Sequence, residues 1–379
     1  MSSSHSRKQQ VEVLINATLK HRSVRPLPVA IEEIDSEWLT AALRTRAPGS
    51  TVKDFAIVDI NRGTCTKIRL RLNMDEAGKR AGLPETVILK GGFETHSRVM
   101  HSMHEKEVRG YRDVFEVLGL RCPTCYFADY DAERQQGIII MEDLVARGVR
   151  FCHPLVPQTH EQVASRLSVL AEFHSRTWGS SGFASGGQWA WPADVMNAMR
   201  AYMVQYLQPE AWQRFIDLPR GAAASVRFHD MRWMDHAIER MLKLAQRLPP
   251  CVVHGDTHLG NLYVDIDGTP GFFDPQPHRA PALVEVAYHV AGALDPADRR
   301  RSEGALLQHY LDELGRNGID PPRFEDTLRN YGAFLAFGYG VFITNESAYQ
   351  PEAINTAYTA RFSTAMLDHD TSGLLQAIR

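Results

Sequence analysis

The sequence predicts an α+β protein of two lobes, a small β-rich lobe first and a larger helical lobe after it. Three observations lead there. At 379 residues the chain is too long for one small core. Short β-patterned runs, with one helical stretch among them, make up residues 51–144. Beyond them the pattern turns helical over residues 145–379, interrupted late by a single hairpin signal.

Composition narrows the class. The hydrophobic share of 44% and the charged share of 23% are ordinary for a soluble globular protein. A formal net charge of -3 gives no cause to expect nucleic acid as a partner. No apolar run approaches the ~20 residues that cross a bilayer, so no membrane partner is expected. The opening MSSSHSRKQQ lacks the apolar core of a secretory signal. Five cysteines without a framework spacing fit reduced thiols and a cytoplasmic setting.

Residues 1–50 read as an extension with one short helix. The polar stretch 1–28 is expected to be mobile or loosely docked. Asp35-Ser36 can cap a helix through Trp38, Leu39, Ala42 and Leu43. Strands are expected at 52–60, 66–72 and 86–89. Asn61-Arg62-Gly63-Thr64-Cys65 joins the first two, either as an ordinary hairpin turn or as a backbone cradle for phosphates. Val87-Ile88-Leu89-Lys90 is a buried strand ending in a lysine, which solvent or an anion could claim. The helix expected over 97–116 offers Glu105 and Glu107 as partners for that lysine. His101 and His104, with His96 nearby, lack the acidic or cysteine ligands of a metal set and read as helix-surface histidines. Cys122-Pro123-Thr124-Cys125 has redox spacing but leads into a strand-like Tyr126-Phe127. The apolar strand 137–144 turns polar at Glu142-Asp143-Leu144, and the lobe boundary is placed there.

In the second lobe, Thr159 and Gln162 form a capping box that opens a helix with Val163, Leu167, Leu170, Phe173 and Trp178 broadly on one face. His174 lies near that stripe and reads as a satisfied core histidine. Residues 180–248 are rich in aromatics (Trp189, Trp191, Tyr202, Tyr206, Trp212, Phe215, Phe228, Trp233), best read as helical core packing. Asp230 can cap a helix through Met234, Ile238, Met241 and Leu244. Late helices are expected at 301–314, 324–345 and 354–366.

The stretch CVVHGDTHLGNLYVDIDGTPGFFDPQ, residues 251–276, carries the chemistry. A short buried strand delivers His254-Gly255-Asp256. A hairpin turning at Asp267-Gly268 then returns the chain to Asp274, bringing Asp256, Asn261 and Asp274 to one end of a small β unit. One carboxylate and one amide oxygen can share a divalent cation while the other carboxylate faces a hydroxyl. Hard oxygen ligands on a shaped loop suit Mg²⁺ on a nucleotide phosphate.

His-Gly-Asp-x-His-x-Gly-Asn, followed by a strand pair and an aspartate, resembles the aminoglycoside phosphotransferase and choline kinase family, nearest its ecdysteroid-kinase-like branch. The resemblance runs from about Ile60 onward. It implies a bilobal protein-kinase-like fold and an ATP-dependent phosphotransferase acting on a small-molecule hydroxyl, with ATP and Mg²⁺ as cofactors. By the same resemblance Asp256 is the catalytic acceptor of the hydroxyl proton, and His258 stands where it can touch the transferring phosphoryl group. Asn261 and Asp274 match the metal ligands. Lys90 matches the strand lysine that holds the phosphates, with Glu107, from a Glu-x-x-x-Tyr pattern ending at Tyr111, as its partner. Gly63 and Thr64 fall in the loop over the phosphates, and Glu142, Asp143 and Leu144 in the hinge that meets adenine. His254 is expected to shape the loop. Two positions depart from the family pattern: Glu285 stands where an aspartate is usual, and Pro275 where tryptophan usually follows the metal-binding aspartate.

Two rival classes remain on the sequence. Gly255-Asp256-Thr257-His258 looks like a metallophosphoesterase motif, but no Gly-Asn-His follows, since Leu262 comes after Gly260-Asn261. A non-catalytic nucleotide-binding protein would be expected to lack one of the chemical residues, and all are present. As acceptor, an aminoglycoside calls for an acidic cleft and choline for an aromatic cage. The weakly charged, aromatic stretch 180–248 favours a neutral, fairly apolar alcohol.

Overall fold

The computed structural model describes residues 24–378, which fall into two compact units. The smaller runs up to Arg150 and takes in two later returns of the chain, Asp265–Asp267 and Gly271–Gln276. The larger comprises Phe151–Val264, Gly268–Pro270 and the chain from Pro277 onward.

In the smaller unit, Asp35 caps helix α1 (Ser36–Leu43) by accepting the Trp38 N–H. An antiparallel sheet follows: β1 (Val52–Arg62), β2 (Thr66–Met74), β3 (Thr86–Gly91), β4 (Cys125–Asp131) and β5 (Gln136–Glu142), in the spatial order β1-β2-β3-β5-β4. Alternation along each strand gives the sheet two different faces. Ile68, Leu70, Val87, Leu89, Phe127, Ile138 and Ile140 enter one core, closed by Leu39 and Leu43 of α1. The opposite parity, Ala128, Ile139 and Met141, packs on Val108 and Tyr111.

Two expectations need correction here. Residues 24–28 are docked rather than loose: Leu27 is fully buried in the first core, and Arg25 pairs with Asp131 at 2.6 Å. The remainder of that stretch, 1–23, lies outside the described residues. The single helix expected over 97–116 is instead a 3-10 turn (Thr95–Arg98), helix α2 (His101–Arg109) and a π-helical turn (Gly110–Phe115). Such widened turns recur where a side chain must be re-aimed, and this one carries Tyr111.

In the larger unit, helix α3 (His160–Ser175) opens on the Thr159–Gln162 capping box. Helices α4 (Val195–Met203), α5 (Pro209–Ile216) and α6 (Met231–Ala245, capped by Asp230) follow. Aromatics of this stretch pack inward: Trp189, Trp212, Phe215 and Phe228 are buried, and the Trp212 indole N–H donates to the His229 carbonyl at 2.7 Å. Next along the chain come strands β6 (Pro250–Val253), β7 (Leu262–Val264), β8 (Pro270–Phe272, whose last two residues belong to the smaller unit) and β9 (His278–Pro281). β6 and β9 are antiparallel, with Val253 opposite His278. Gly268 takes φ +83° at the hairpin turn, where any side chain would be strained.

Helix α7 (Ala282–Ala293) is buried at every position. A helix enclosed on all sides belongs at the centre of a bundle, and α7 packs on α3, α8 (Pro296–Arg316), α9 (Phe324–Thr344) and α10 (Glu352–Asp368). Its buried polar residues Glu285 and His289 must therefore find partners within the protein. They find them in the loop after β6. Helix α8 begins five residues before its expected start, because Pro296 occupies the first helical position, where its missing N–H costs nothing.

Candidate active site

The loop after β6 is held by side chains bonded to its backbone. Gly255 adopts φ +86°, so the chain can turn sharply as it leaves the strand. Glu285 Oε2 and Oε1 accept the N–H groups of His254 and Gly255 at 3.1 and 2.7 Å. The His174 ring holds Glu285 from behind, Nε2 donating to Oε2 at 2.9 Å, while its Nδ1 meets the Tyr310 hydroxyl at 2.9 Å. Burial works to raise the Glu285 carboxyl, but His174 and the loop amides outweigh it and hold its pKa below the ordinary value. Farther along, His289 donates through Nδ1 to the Thr257 carbonyl at 3.0 Å, and the Tyr358 hydroxyl accepts the Leu259 N–H at 3.0 Å. Burial pushes the His289 pKa down to about 4, so it is neutral in this role.

That scaffold presents Asp256. Its Oδ1 accepts the Tyr288 hydroxyl at 3.1 Å, and its Oδ2 accepts the Asn261 amide at 2.9 Å. The same amide reaches the Asp256 carbonyl at 3.1 Å, which leaves the Asn261 amide oxygen as a hard donor with no hydrogen bond among the described residues. His258 Nδ1 accepts the Gly260 N–H at 3.0 Å, and its Nε2 stands 3.5 Å from Asp256 Oδ2, a loose contact. Burial works to raise the Asp256 carboxyl, yet His258, His254 and the Tyr288 hydroxyl hold it below its usual value, so it is ionised. The rings around it come from outside residues 180–248. Tyr288 stacks on Phe342 (centroids 5.6 Å apart), and His258 lies edge-on to Phe342 and Tyr358 at 6.1 and 6.0 Å.

In the smaller unit a second set of groups gathers around Asp274. Lys90, on β3, is nearly buried; it bonds Glu107 Oε1 at 2.5 Å and forms an ion pair with Asp274 Oδ1 at 2.9 Å. Glu107 rather than Glu105 is therefore the helix partner. Lys67, on β2, lies directly opposite Lys90 in the strand register and bonds Asp274 Oδ2 at 2.7 Å. Asp274 adopts φ +53°, a left-handed conformation that costs a non-glycine residue about 1 kcal/mol or more. Its N–H donates to the Tyr111 hydroxyl at 3.2 Å, which is the service of the π-helical turn. Burial opposes the Asp274 charge, but Lys67 and Lys90 outweigh it and hold the carboxyl well below the carboxylate range. Burial likewise opposes the Lys90 charge, and Asp274 and Glu107 overcome it, raising its pKa. Glu107 is pushed upward by its burial despite Lys90.

The other sequence-derived candidates are more dispersed. Gly63 and Thr64 form the turn between β1 and β2, and the Gly63 carbonyl accepts from His96 Nε2 at 2.8 Å. Glu142 ends β5 with its N–H bonded to the Thr124 carbonyl at 2.9 Å. The Asp143 carboxylate caps the turn Leu144–Arg147 through the N–H groups of Val145 and Ala146, and bonds Arg69 at 2.6 Å. That cap leaves the Leu144 N–H at the head of the turn. His101 meets the Tyr130 hydroxyl at 2.9 Å. His104 is not on the surface as expected. It is buried where Gly92 and Gly137 let the backbone approach, and burial lowers its pKa to about 4. Among the described residues no group of three or more His, Cys, Asp or Glu side chains gathers where it could hold a metal ion.

A family model described as the phosphotransferase enzyme family matches residues 111–324, more than half of the sequence. The chain belongs to the phosphotransferase enzyme family. The matched span contains the Asp256 loop and Asp274, while Lys90 and Glu107 precede it. Among solved structures, a protein from Ralstonia eutropha described as an aminoglycoside phosphotransferase is 15% identical, with 89% of this chain and 98% of that one covered and a TM-score of 0.52. An ethanolamine kinase from Plasmodium vivax is 8% identical, with 95% and 94% covered and a TM-score of 0.51. At these identities the likeness is one of fold, and it places this family member among proteins with the protein-kinase-like α+β architecture. No curated protein matches the chain. Among the described residues no helix is long and apolar enough to cross a membrane.

Proposed function

We propose that this phosphotransferase uses ATP and Mg²⁺ to phosphorylate a hydroxyl group of a small, neutral and fairly apolar alcohol. The observation that carries the reading is Asp256. It is an ionised carboxylate fixed at both oxygens, by Tyr288 and Asn261, on a loop whose backbone is anchored by Glu285, His289 and Tyr358. Phosphoryl transfer asks for positioning and charge neutralisation more than for covalent chemistry. In this reading Asp256 accepts a hydrogen bond from the acceptor hydroxyl and takes its proton late, and His258 contacts the transferring group. Lys90, held by Glu107, binds the α- and β-phosphates. The backbone at Gly63 and Thr64 covers them, and the stretch Glu142-Asp143-Leu144 meets adenine, with the Leu144 N–H as donor.

Donor chemistry fits a magnesium ion. The Asn261 amide oxygen is a hard ligand left open by its neighbours, and Asp274 is ionised. Those two residues are assigned to hold it, and once bound it would neutralise charge on the phosphates. An apolar acceptor is supported by the weakly charged, aromatic stretch 180–248 and by the resemblance to the ecdysteroid-kinase-like branch. Glu285 is committed to His174 and to two loop amides, so it does not stand ready for a substrate amine.

The test is ADP release from ATP and Mg²⁺ across a panel of apolar alcohols, sugars, aminoglycosides and choline. Turnover that depends on an added alcohol, with the largest kcat/KM for apolar ones, is the expected result. Turnover with cationic amines alone would overturn the acceptor assignment, and ADP release indifferent to every acceptor would overturn the transferase reading.

A further inference from the structure

Lys67 is unexplained by the roles assigned so far. It is the second residue of β2, immediately after the Gly63–Thr64 turn, and faces Lys90 across the β2–β3 ladder. Directly opposed residues project on the same side of a sheet, so two like charges stand side by side, an arrangement that is unfavourable unless an anion lies between them. Asp274 is that anion, one oxygen on each ammonium, at 2.7 Å for Lys67 and 2.9 Å for Lys90.

The two lysines are not equivalent. Lys90 is 5% exposed and fixed from its other side by Glu107 at 2.5 Å. The Lys67 side chain is 36% exposed, Asp274 is its sole ion-pair partner among the described residues, and the Phe273 ring lies 5.7 Å from its ammonium. A long, flexible stem at that exposure can swing, and Lys90 cannot without leaving a buried carboxylate unpaired.

With both oxygens occupied by ammonium groups, Asp274 can take a metal ion only if one contact is given up. Bringing a divalent cation against two ammoniums is repulsive by Coulomb's law, whereas triphosphate oxygens offer a displaced ammonium a new anionic partner. We propose that Lys67 is a second nucleotide-binding cation, one that holds Asp274 and passes from it to a phosphate oxygen as the metal–nucleotide complex binds. Lys67 thereby couples the two ligands. Metal alone binds poorly because the ammonium it displaces has no phosphate to receive it, and nucleotide improves metal binding by supplying one. This inference rests on the assignment of ATP and Mg²⁺ to the protein.

Lys67→Met keeps the apolar stem and removes the charge, and the readout is direct binding with no acceptor present. Mn²⁺ alone is titrated by its paramagnetic signal, and ATP with Mg²⁺ by calorimetry. The variant is expected to bind Mn²⁺ alone about tenfold more tightly and ATP·Mg²⁺ about tenfold more weakly, the change that one charge-assisted contact confers. Lys67→Arg should restore the nucleotide affinity. A merely structural lysine would weaken both ligands together or neither, and either result overturns the proposal. Lys90→Met separates the two levels of the argument. If it weakens ATP·Mg²⁺ while Lys67→Met changes nothing, the Lys67 inference falls alone; if wild-type protein binds no ATP·Mg²⁺, the nucleotide assignment falls and takes the inference with it.

Discussion

The cluster at Asp274 and the loop at Asp256 solve opposite problems with different chemistry. Around Asp274 the contacts are between full charges: two lysines, Glu107 and the aspartate. Around Asp256 they are hydrogen bonds from neutral or backbone groups, Tyr288, Asn261, Tyr358 and His289, with Glu285 bonded to two loop amides. Ion pairs can be exchanged for other ions when a charged ligand arrives. Backbone anchors cannot be exchanged without undoing the loop. The contrast suits a protein in which one region must accept a polyanion and a metal, and the other must hold a carboxylate in one place.

The sharpest way to break the comparison is at Asp256. Asp256→Ala is expected to lower acceptor-dependent ADP release by roughly 10²–10⁴-fold. Turnover near the wild-type rate in that assay would remove Asp256 from the chemistry. Next in size is Lys90→Met, which leaves Glu107 buried without its cation and Asp274 with a single remaining lysine. Breaking a buried pair in this way typically costs about 3–5 kcal/mol, so a large fall in the midpoint of urea unfolding is expected. Glu285→Ala removes the acceptor for two buried loop N–H groups and should cost about 1–3 kcal/mol by the same measurement. Its loss of turnover should exceed its loss of nucleotide affinity if the loop serves only to position Asp256.

A separate effect is expected on the pH dependence of stability. His104 and His289 have folded pKa values lowered to about 4 from the ordinary 6.5, because burial disfavours their charge. As pH falls through that window the unfolded chain takes up protons that the folded protein refuses. Stability is therefore fully present above about pH 6.5 and is lost progressively towards pH 4, at up to about 1.4 kcal/mol per pH unit for each histidine. One of these residues lies in each unit, so unfolding midpoints of His104→Asn and His289→Asn between pH 7.5 and 4.5 should each show a shallower acid slope than wild type. A slope unchanged in both would place the acid sensitivity elsewhere.

What the sequence disclosed follows the range of the interactions. Asp256 and Asn261 are five residues apart on one loop, the Asp267-Gly268 turn is local, and the caps at Asp35, Thr159 and Asp230 each act within three residues. All were legible. Lys67 was not, because β2 alternates Lys67, Arg69 and Arg71 on one face, a pattern that reads as solvated, and only the register shows Lys67 opposite Lys90. Tyr288 lies one helical turn after Glu285, and that spacing was the available hint; its bond to Asp256 needs α7 to be buried beside the loop. Tyr358 comes from a helix about a hundred residues on, and no local pattern announces it. The docking of Leu27 and the burial of His104 were misread for the same reason, since each depends on a distant surface closing over a short polar stretch.

The division of labour between the two regions can be tested with Lys90→Met and Asp256→Asn side by side, measuring ATP·Mg²⁺ affinity by calorimetry and acceptor-dependent ADP release on the same preparations. The expected result is a crossed pattern: Lys90→Met loses affinity, while Asp256→Asn binds nucleotide nearly as wild type does and fails to turn over. Two variants that lose affinity alike, or an Asp256→Asn protein that still transfers phosphate, would contradict it.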